Sequence, residues 1–200
     1  MRTWKRSRDR RVDRVLVLGI DPGTANTGYG LVRGGGAAIP ALLECGVIRT
    51  QARDPLPRRL REIHEGVREL IDRHRPDALC VEDVFYARNV RTTIVLGHAR
   101  GVILLAAEQC GLQVNELAPA EIKKAVTGTG SATKEQVQFM ITRLLRLKSV
   151  PQPTDAADGV AAALAYIMSA NVPRLDKTGR IREPSRAVLP AALDARIVRA

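Results

Sequence analysis

Four carboxylates stand in four unlike settings along this chain: Asp21 in Val17-Leu18-Gly19-Ile20-Asp21-Pro22-Gly23, Glu82 in Cys80-Val81-Glu82-Asp83, and Asp155 and Asp158 in Thr154-Asp155-Ala156-Ala157-Asp158. Each ends or opens an apolar element, and a carboxylate is costly to bury unless something positive compensates it. Oxygen-rich acidic clusters are what hard divalent cations such as Mg2+ select. The surrounding chain is strongly basic, with a formal net charge of +11 over 200 residues. An acidic metal pocket on a cationic surface points to phosphodiester chemistry on a nucleic acid.

Each acidic position also has an ordinary reading. An Asp before Pro-Gly is by default a turn residue. Asp155 and Asp158 fall in the first turn or so of a helix, where carboxylates favour the macrodipole without any metal. Glu82 is harder to dismiss, because it follows the apolar run Ala78 to Val81. Lys123, Lys124 and Lys134 read, by spacing alone, as solvated helix or loop charges. Gly128-Thr129-Gly130-Ser131 lacks the following Lys-Ser/Thr of a phosphate-binding loop and reads as a connector. His64, His74 and His98 have no ligand spacing with one another and read as surface or packing residues.

The elements that must position the carboxylates follow from hydrophobic periodicity. Val15 to Ile20 is a nearly all-apolar buried strand, and Gly28 to Val32 and Leu43 to Ile48 are further strands separated by the turn-rich Arg33-Gly34-Gly35-Gly36. Three strands so close in sequence imply an antiparallel meander. Leu60, Ile63, Val67, Leu70 and Ile71 recur at helical spacing within 58–74, and Ala78 to Val81 is the next strand. A helix over 92–109 and a short strand from Leu112 to Glu116 come next. Another helix starts at about Thr133, whose partner Gln136 makes a capping box, and buries Val137, Met140, Ile141, Leu144 and Leu145. The last helix, 155–169, is rich in alanine and presents a narrow face able to pack close to a sheet.

The expected fold is α/β: a five-stranded mixed sheet flanked by helices on both faces. Asp21 and Glu82 end the first and fourth strands on the same side, so parallel pairing of those strands would bring them together. Asp155 and Asp158, three apart on a helix, share one face with Cβ atoms about 5 to 6 Å apart. A helix start docked at that strand edge completes a four-carboxylate pocket.

The remaining bounds are exclusions. Two hundred residues suffice for one domain, here expected over 15–170, and not for two large lobes with a cleft between them. Residues 1–14, with Arg2, Lys5, Arg6, Arg8, Arg10, Arg11 and Arg14, form a basic and flexible arm, and 171–200 a loose, mobile tail with at most a short helix near 187–198. Three dispersed cysteines argue for reduced core thiols and a cytoplasmic location. The basic N-terminus lacks the features of a signal peptide, and no apolar run reaches the roughly 20 residues of a membrane span.

Taken in order, these motifs resemble the RuvC-type Holliday-junction resolvases of the RNase H-like (retroviral-integrase) nuclease superfamily. The resemblance spans roughly 15–170. It rests on Gly19-Ile20-Asp21-Pro22-Gly23 with Thr27-Gly28-Tyr29-Gly30, Glu82 with Val84-Phe85 and Asn89, Ala99-Arg100-Gly101, Gly130-Ser131-Ala132 with Lys134, and Asp155-Ala156-Ala157-Asp158. It implies an RNase H-like fold, with Asp21, Glu82, Asp155 and Asp158 as metal ligands for two Mg2+ ions, which Mn2+ can replace. It further implies catalytic and DNA-contacting roles for Lys134 and Lys123, and DNA contacts from Phe85, Arg88 and Asn89. Phe85 and Tyr86, adjacent on an extended segment, face opposite ways, leaving one free to meet bases. The implied activity is symmetric cleavage of two strands of like polarity in four-way junction DNA by a homodimer, working with RuvA and RuvB. The helix over 92–109, long and apolar, is the expected dimer contact.

The chain departs from the family pattern at Asp83, at Ala25-Asn26 and in its long basic arm. The alternation of a strand turns Asp83 away from the metals, a protection that disappears if the strand ends at Glu82. Rival readings are a sugar-kinase or actin-like ATPase, for which the chain is too short, a YqgF-like RNA nuclease, and a basic architectural protein that binds junctions without cutting. The last explains the charge and leaves four carboxylates without a role, since acidic clusters repel phosphate unless a metal intervenes.

Overall fold

The structure is a computed structural model that describes residues 14–35, 38–83 and 90–170. The arm up to residue 13, the tail from 171 and the segment holding Phe85, Arg88 and Asn89 lie outside the described residues.

Among the described residues ten elements follow one another: β1 (Val15–Asp21), β2 (Asn26–Gly35), β3 (Ala38–Arg49), α1 (Leu56–His74), β4 (Ala78–Glu82), α2 (Val90–Gln109), β5 (Gln113–Leu117), α3 (Pro119–Thr127), α4 (Lys134–Leu144) and α5 (Thr154–Ala170). The strands form one mixed sheet in the order β3-β2-β1-β4-β5. β1, β2 and β3 are the antiparallel meander, and β1, β4 and β5 run parallel. Arg33 to Gly35, expected as turn, continue the β2 ladder as far as the Gly35–Ala38 pair. Backbone pairing to strands on both sides overrides the local preference of glycine for a turn.

Asp77 fixes the parallel pairing. Its carboxylate accepts the Leu16 amide at 2.7 Å, and its own amide donates to the Leu16 carbonyl at 2.8 Å. That junction sets Val17 opposite Ala78 and Ile20 opposite Val81, so both strands finish at one edge.

Alternate residues of the strands feed two cores. Leu16, Leu18, Ile20, Leu79 and Val81 face α1 and α2, where they meet Ile63, Val67, Leu70, Ile71 and Ile103. Val17, Val32, Cys80 and Leu117 face α3, α4 and α5. Helices thus cover both faces, as the periodicity required.

α3 was not foreseen, although its signals are present: Pro119 at the first helical position, and Glu121, whose side chain accepts the Ala118 amide at 2.9 Å. The capping box of α4 is reciprocal as expected. The Thr133 hydroxyl accepts the Gln136 amide at 3.3 Å and the Gln136 side chain accepts the Thr133 amide at 2.8 Å. α2 differs from the expectation for membrane spans, being long and apolar enough to qualify by length and composition. Its Ala99, Ile103, Ala106 and Ala107 are buried in the protein core, and Arg100 interrupts it with ion pairs.

Candidate active site

The seating of α5 decides the geometry. Gly19, Gly28 and Gly30 present bare backbone toward this helix, and Gly159 returns the same absence from the helix side. A Cβ on Gly159 would lie 2.6 Å from Tyr29 Cα, and one on Gly30 2.6 Å from Val160 Cα. A Cβ on Gly28 would collide with the carbonyl oxygen of Asp155. Helix and strands therefore touch backbone to backbone. The first turns of α5 are pressed onto the end of β1, where Asp21 pairs with Gly28.

The result is convergence. Carboxylate oxygens of Asp21, Asp155 and Asp158 all lie within 4.8 Å of one another. Glu82, at the end of the parallel neighbour β4, lines the same cleft of roughly 280 Å³ with Asp21, Asp158, Lys123 and Lys134. Pro119, Ile122, Val137 and Ala161 complete the wall, so the unforeseen α3 supplies one side of it. All four carboxylates are half-buried.

The turn that follows Asp21 is held in place. Thr27, fully buried, donates its hydroxyl to the Gly23 carbonyl at 2.6 Å, and the Thr50 amide donates to the Ala25 carbonyl at 3.0 Å. Asp21 itself is the last paired residue of β1 and not part of that turn, contrary to the ordinary reading, and it is a member of the cluster.

Electrostatics show what the cluster lacks. Burial, followed by the charges of Glu82, Asp158 and Asp155, pushes the Asp21 carboxyl up to about 7, against a smaller opposing effect of Lys134. Burial and the Asp158 charge also raise Glu82, with Lys123 and Lys134 opposing. Burial raises Asp158, although the Lys134 hydrogen bond and charge pull it the other way. Lys134 Nζ donates to Asp158 Oδ2 at 2.6 Å. Its own burial would lower the ammonium pKa, but the hydrogen bond and charge of Asp158, with Asp155 and Asp21 behind them, outweigh that and raise it. Asp21, Glu82 and Asp158, crowded together with two lysines, cannot all ionise cheaply, and a hard divalent cation relieves that conflict. The donor set, oxygen only and arranged around one point, fits such an ion.

The structure thus joins Asp21, Glu82, Asp155, Asp158, Lys123 and Lys134, and it turns both lysines from solvated charges into cleft residues. Asp83 faces away, toward Arg100 at 3.4 Å. Arg100 itself was singled out in sequence only as part of a motif. Its partners are distant in the chain, so no local signal shows them.

Fold and site together define an α/β domain with a carboxylate cluster at one edge of its mixed sheet. The family model for "Crossover junction endodeoxyribonuclease RuvC" matches residues 17–166. A crossover junction endodeoxyribonuclease RuvC from Pelotomaculum thermopropionicum is 47% identical over 152 residues, covering 76% of this chain and 92% of that protein. Thermus thermophilus RuvC, solved in complex with a Holliday junction substrate, is 37% identical with a TM-score of 0.74, covering 78% of this chain and 94% of that one. The yeast mitochondrial Holliday junction resolvase Ydc2, 14% identical with a TM-score of 0.56, shares the fold, covering 76% of this chain and 78% of that one. The chain belongs to the RuvC family of crossover junction endodeoxyribonucleases.

Proposed function

We propose that this protein is a metal-dependent, structure-selective endodeoxyribonuclease that resolves Holliday junctions in DNA recombination and repair. It cuts two strands of like polarity symmetrically and leaves 5′-phosphate and 3′-hydroxyl ends. The carrying observation is the convergence of carboxylates from β1, β4 and α5 with two lysines at one edge of the sheet, in a member of a family named for cutting crossover junctions.

Asp21, Glu82, Asp155 and Asp158 would hold two Mg2+ ions, replaceable by Mn2+. Bound Mg2+ supplies a lowered pKa for the attacking water and charge stabilisation for the departing 3′ oxygen. Lys134 orients Asp158 through its hydrogen bond before substrate arrives, and its ammonium then faces the scissile phosphate. Lys123, on the α3 wall, offsets charge developing on the same phosphate. Phe85, Arg88 and Asn89 contact the junction near its centre, and the basic arm adds affinity without sequence choice.

A homodimer places two such sites on one junction. Val90, Ile94, Gly97, Gly101 and Leu105 follow one another along a single face of α2, with Val90 70%, Ile94 55% and Leu105 49% exposed and open space at both glycines. An apolar helix face with small residues at its middle suits close approach of a second α2. The dimer works in the cytoplasm beside the RuvA and RuvB branch-migration proteins.

The test is incubation with a synthetic four-way junction and a matched linear duplex, in Mg2+ or EDTA, beside Asp21→Asn. Paired, ligatable nicks in the junction alone, absent in EDTA and in the variant, are the expected result. Junction binding with no metal-dependent cutting would replace this reading with an architectural one.

A further inference from the structure

The residues behind Glu82 form a separate polar cluster on the opposite face of the sheet. Arg100, from the middle of α2, reaches the end of the parallel pair β4 and β5. Its guanidinium Nη2 is 3.4 Å from Asp83 Oδ1 and is also paired with Glu116 Oε2. Asp83 is the residue immediately after Glu82, and Glu116 is the β5 partner of Val81. The Asp83 amide donates to the Leu117 carbonyl at 2.9 Å, which ties Asp83 to the strand end although the last paired residues are Glu82 and Leu117.

Alternation links the two sides. A strand turns successive side chains to opposite faces. Holding Asp83 and Glu116 toward α2 therefore holds Glu82 and Leu117 toward the cleft. Arg100 is only 22% exposed, and its Nε is buried with no hydrogen-bond partner. Arg100 thus lies between α2 and the end of the β4–β5 pair with its charge met by two carboxylates. One nitrogen, Nη2, meets two carboxylates, one on β5 and one just past the end of β4.

We propose that Arg100 is a positioning residue for the metal site: it clamps Asp83 and Glu116 from α2 and so sets the orientation of Glu82. This rests on the four-carboxylate cleft being the metal-binding and cutting site. It also assigns Asp83, a departure from the family pattern, to the clamp and not to the metals.

The experiment compares wild type, Arg100→Gln, Arg100→Lys and Glu116→Gln as full-length proteins. Four quantities are read: Mn2+ half-saturation by thermal shift, hydrogen exchange of residues 78–83 without metal, junction affinity in EDTA, and single-turnover cutting of a prebound junction. For Arg100→Gln we expect Mn2+ half-saturation and cutting to worsen by about 10-fold or more, as for other groups that orient metal ligands. Exchange over 78–83 should rise and junction affinity should stay unchanged. Arg100→Lys should recover part of both losses, and Glu116→Gln should show a smaller version of each. A folded Arg100→Gln protein with wild-type Mn2+ half-saturation and unchanged 78–83 exchange would overturn the inference, as would a lower melting temperature with no change in those two readings. Wild type that binds Mn2+ at the cleft and fails to cut any junction would instead count against the resolvase reading, with the Mn2+ and exchange measurements still deciding the role of Arg100.

Discussion

The two faces of the sheet are packed in opposite ways, although alternate residues of the same strands supply both. Toward α1 and α2, β1 offers Leu16, Leu18 and Ile20, and bulky aliphatic side chains interdigitate. Toward α5, β1 offers Val17, Gly19 and Asp21, β2 offers Gly28 and Gly30, and the helix answers with alanines and Gly159. Side chains set the spacing on the first face. On the second they have been removed until backbones touch, which lets acids on a helix reach an acid on a strand. One face is built to bury area and the other to fix distances, and a small error costs more on the second.

That contrast breaks most sharply at Gly159. Gly159→Val places atoms on the Tyr29 backbone, which has no rotamer to yield, and should cost about 3 kcal/mol or more. It should also abolish both cutting and the rise in melting temperature produced by Mg2+, measured side by side by junction nicking and thermal shift. Ile63→Ala on the other face should cost about 3 kcal/mol in urea unfolding. Its cutting rate per folded molecule should be unchanged, because the cavity lies across the sheet from the cleft.

The acidic face also has its own pH dependence. The folded, metal-free protein keeps a proton on Asp21 up to about pH 7, whereas the unfolded chain releases it near its ordinary 3.8. The folded state therefore binds more protons between those values, and stability falls as pH rises through that window. Asp21→Asn removes the penalty. In EDTA it should leave stability near pH 4 little changed and raise it at pH 8 by about 2 kcal/mol, well under the full value of the shift because water and neighbouring acids relax. Denaturant titration at the two pH values checks this, and Mg2+ should stabilise wild type and not the variant at pH 8.

The smallest expected effect is at the α4 start. Thr133→Ala removes the cap and should cost about 1 kcal/mol. Because Lys134 is the next residue and holds Asp158, the variant should also cut more slowly while binding junction normally. A loss of stability with an unchanged rate would show that Lys134 is placed by α4 packing alone.

Much of this was open to reading along the chain. The periodicity of Leu60, Ile63, Val67 and Leu70 defines α1, the Thr133 and Gln136 pair marks where α4 begins, and apolar runs ending in Asp21 and Glu82 place both acids at strand ends. These are local properties, settled by neighbours a few residues away. α3 was missed although Pro119 and Glu121 mark its start, because the run that follows is too short for its period to stand out.

What the amino-acid sequence determined by itself is therefore the kind of chemistry, the elements that carry it and the strand ends where two of the acids sit. Tertiary packing alone brings Lys134 to Asp158, places Lys123 in the cleft lining and pairs Arg100 with Asp83 and Glu116. The physical reason is that each of these pairings joins residues on different elements. Their distances depend on how closely α5 sits on the backbone of β1 and β2 and on the register of β4 with its neighbours, and neither is a property of any short stretch of chain.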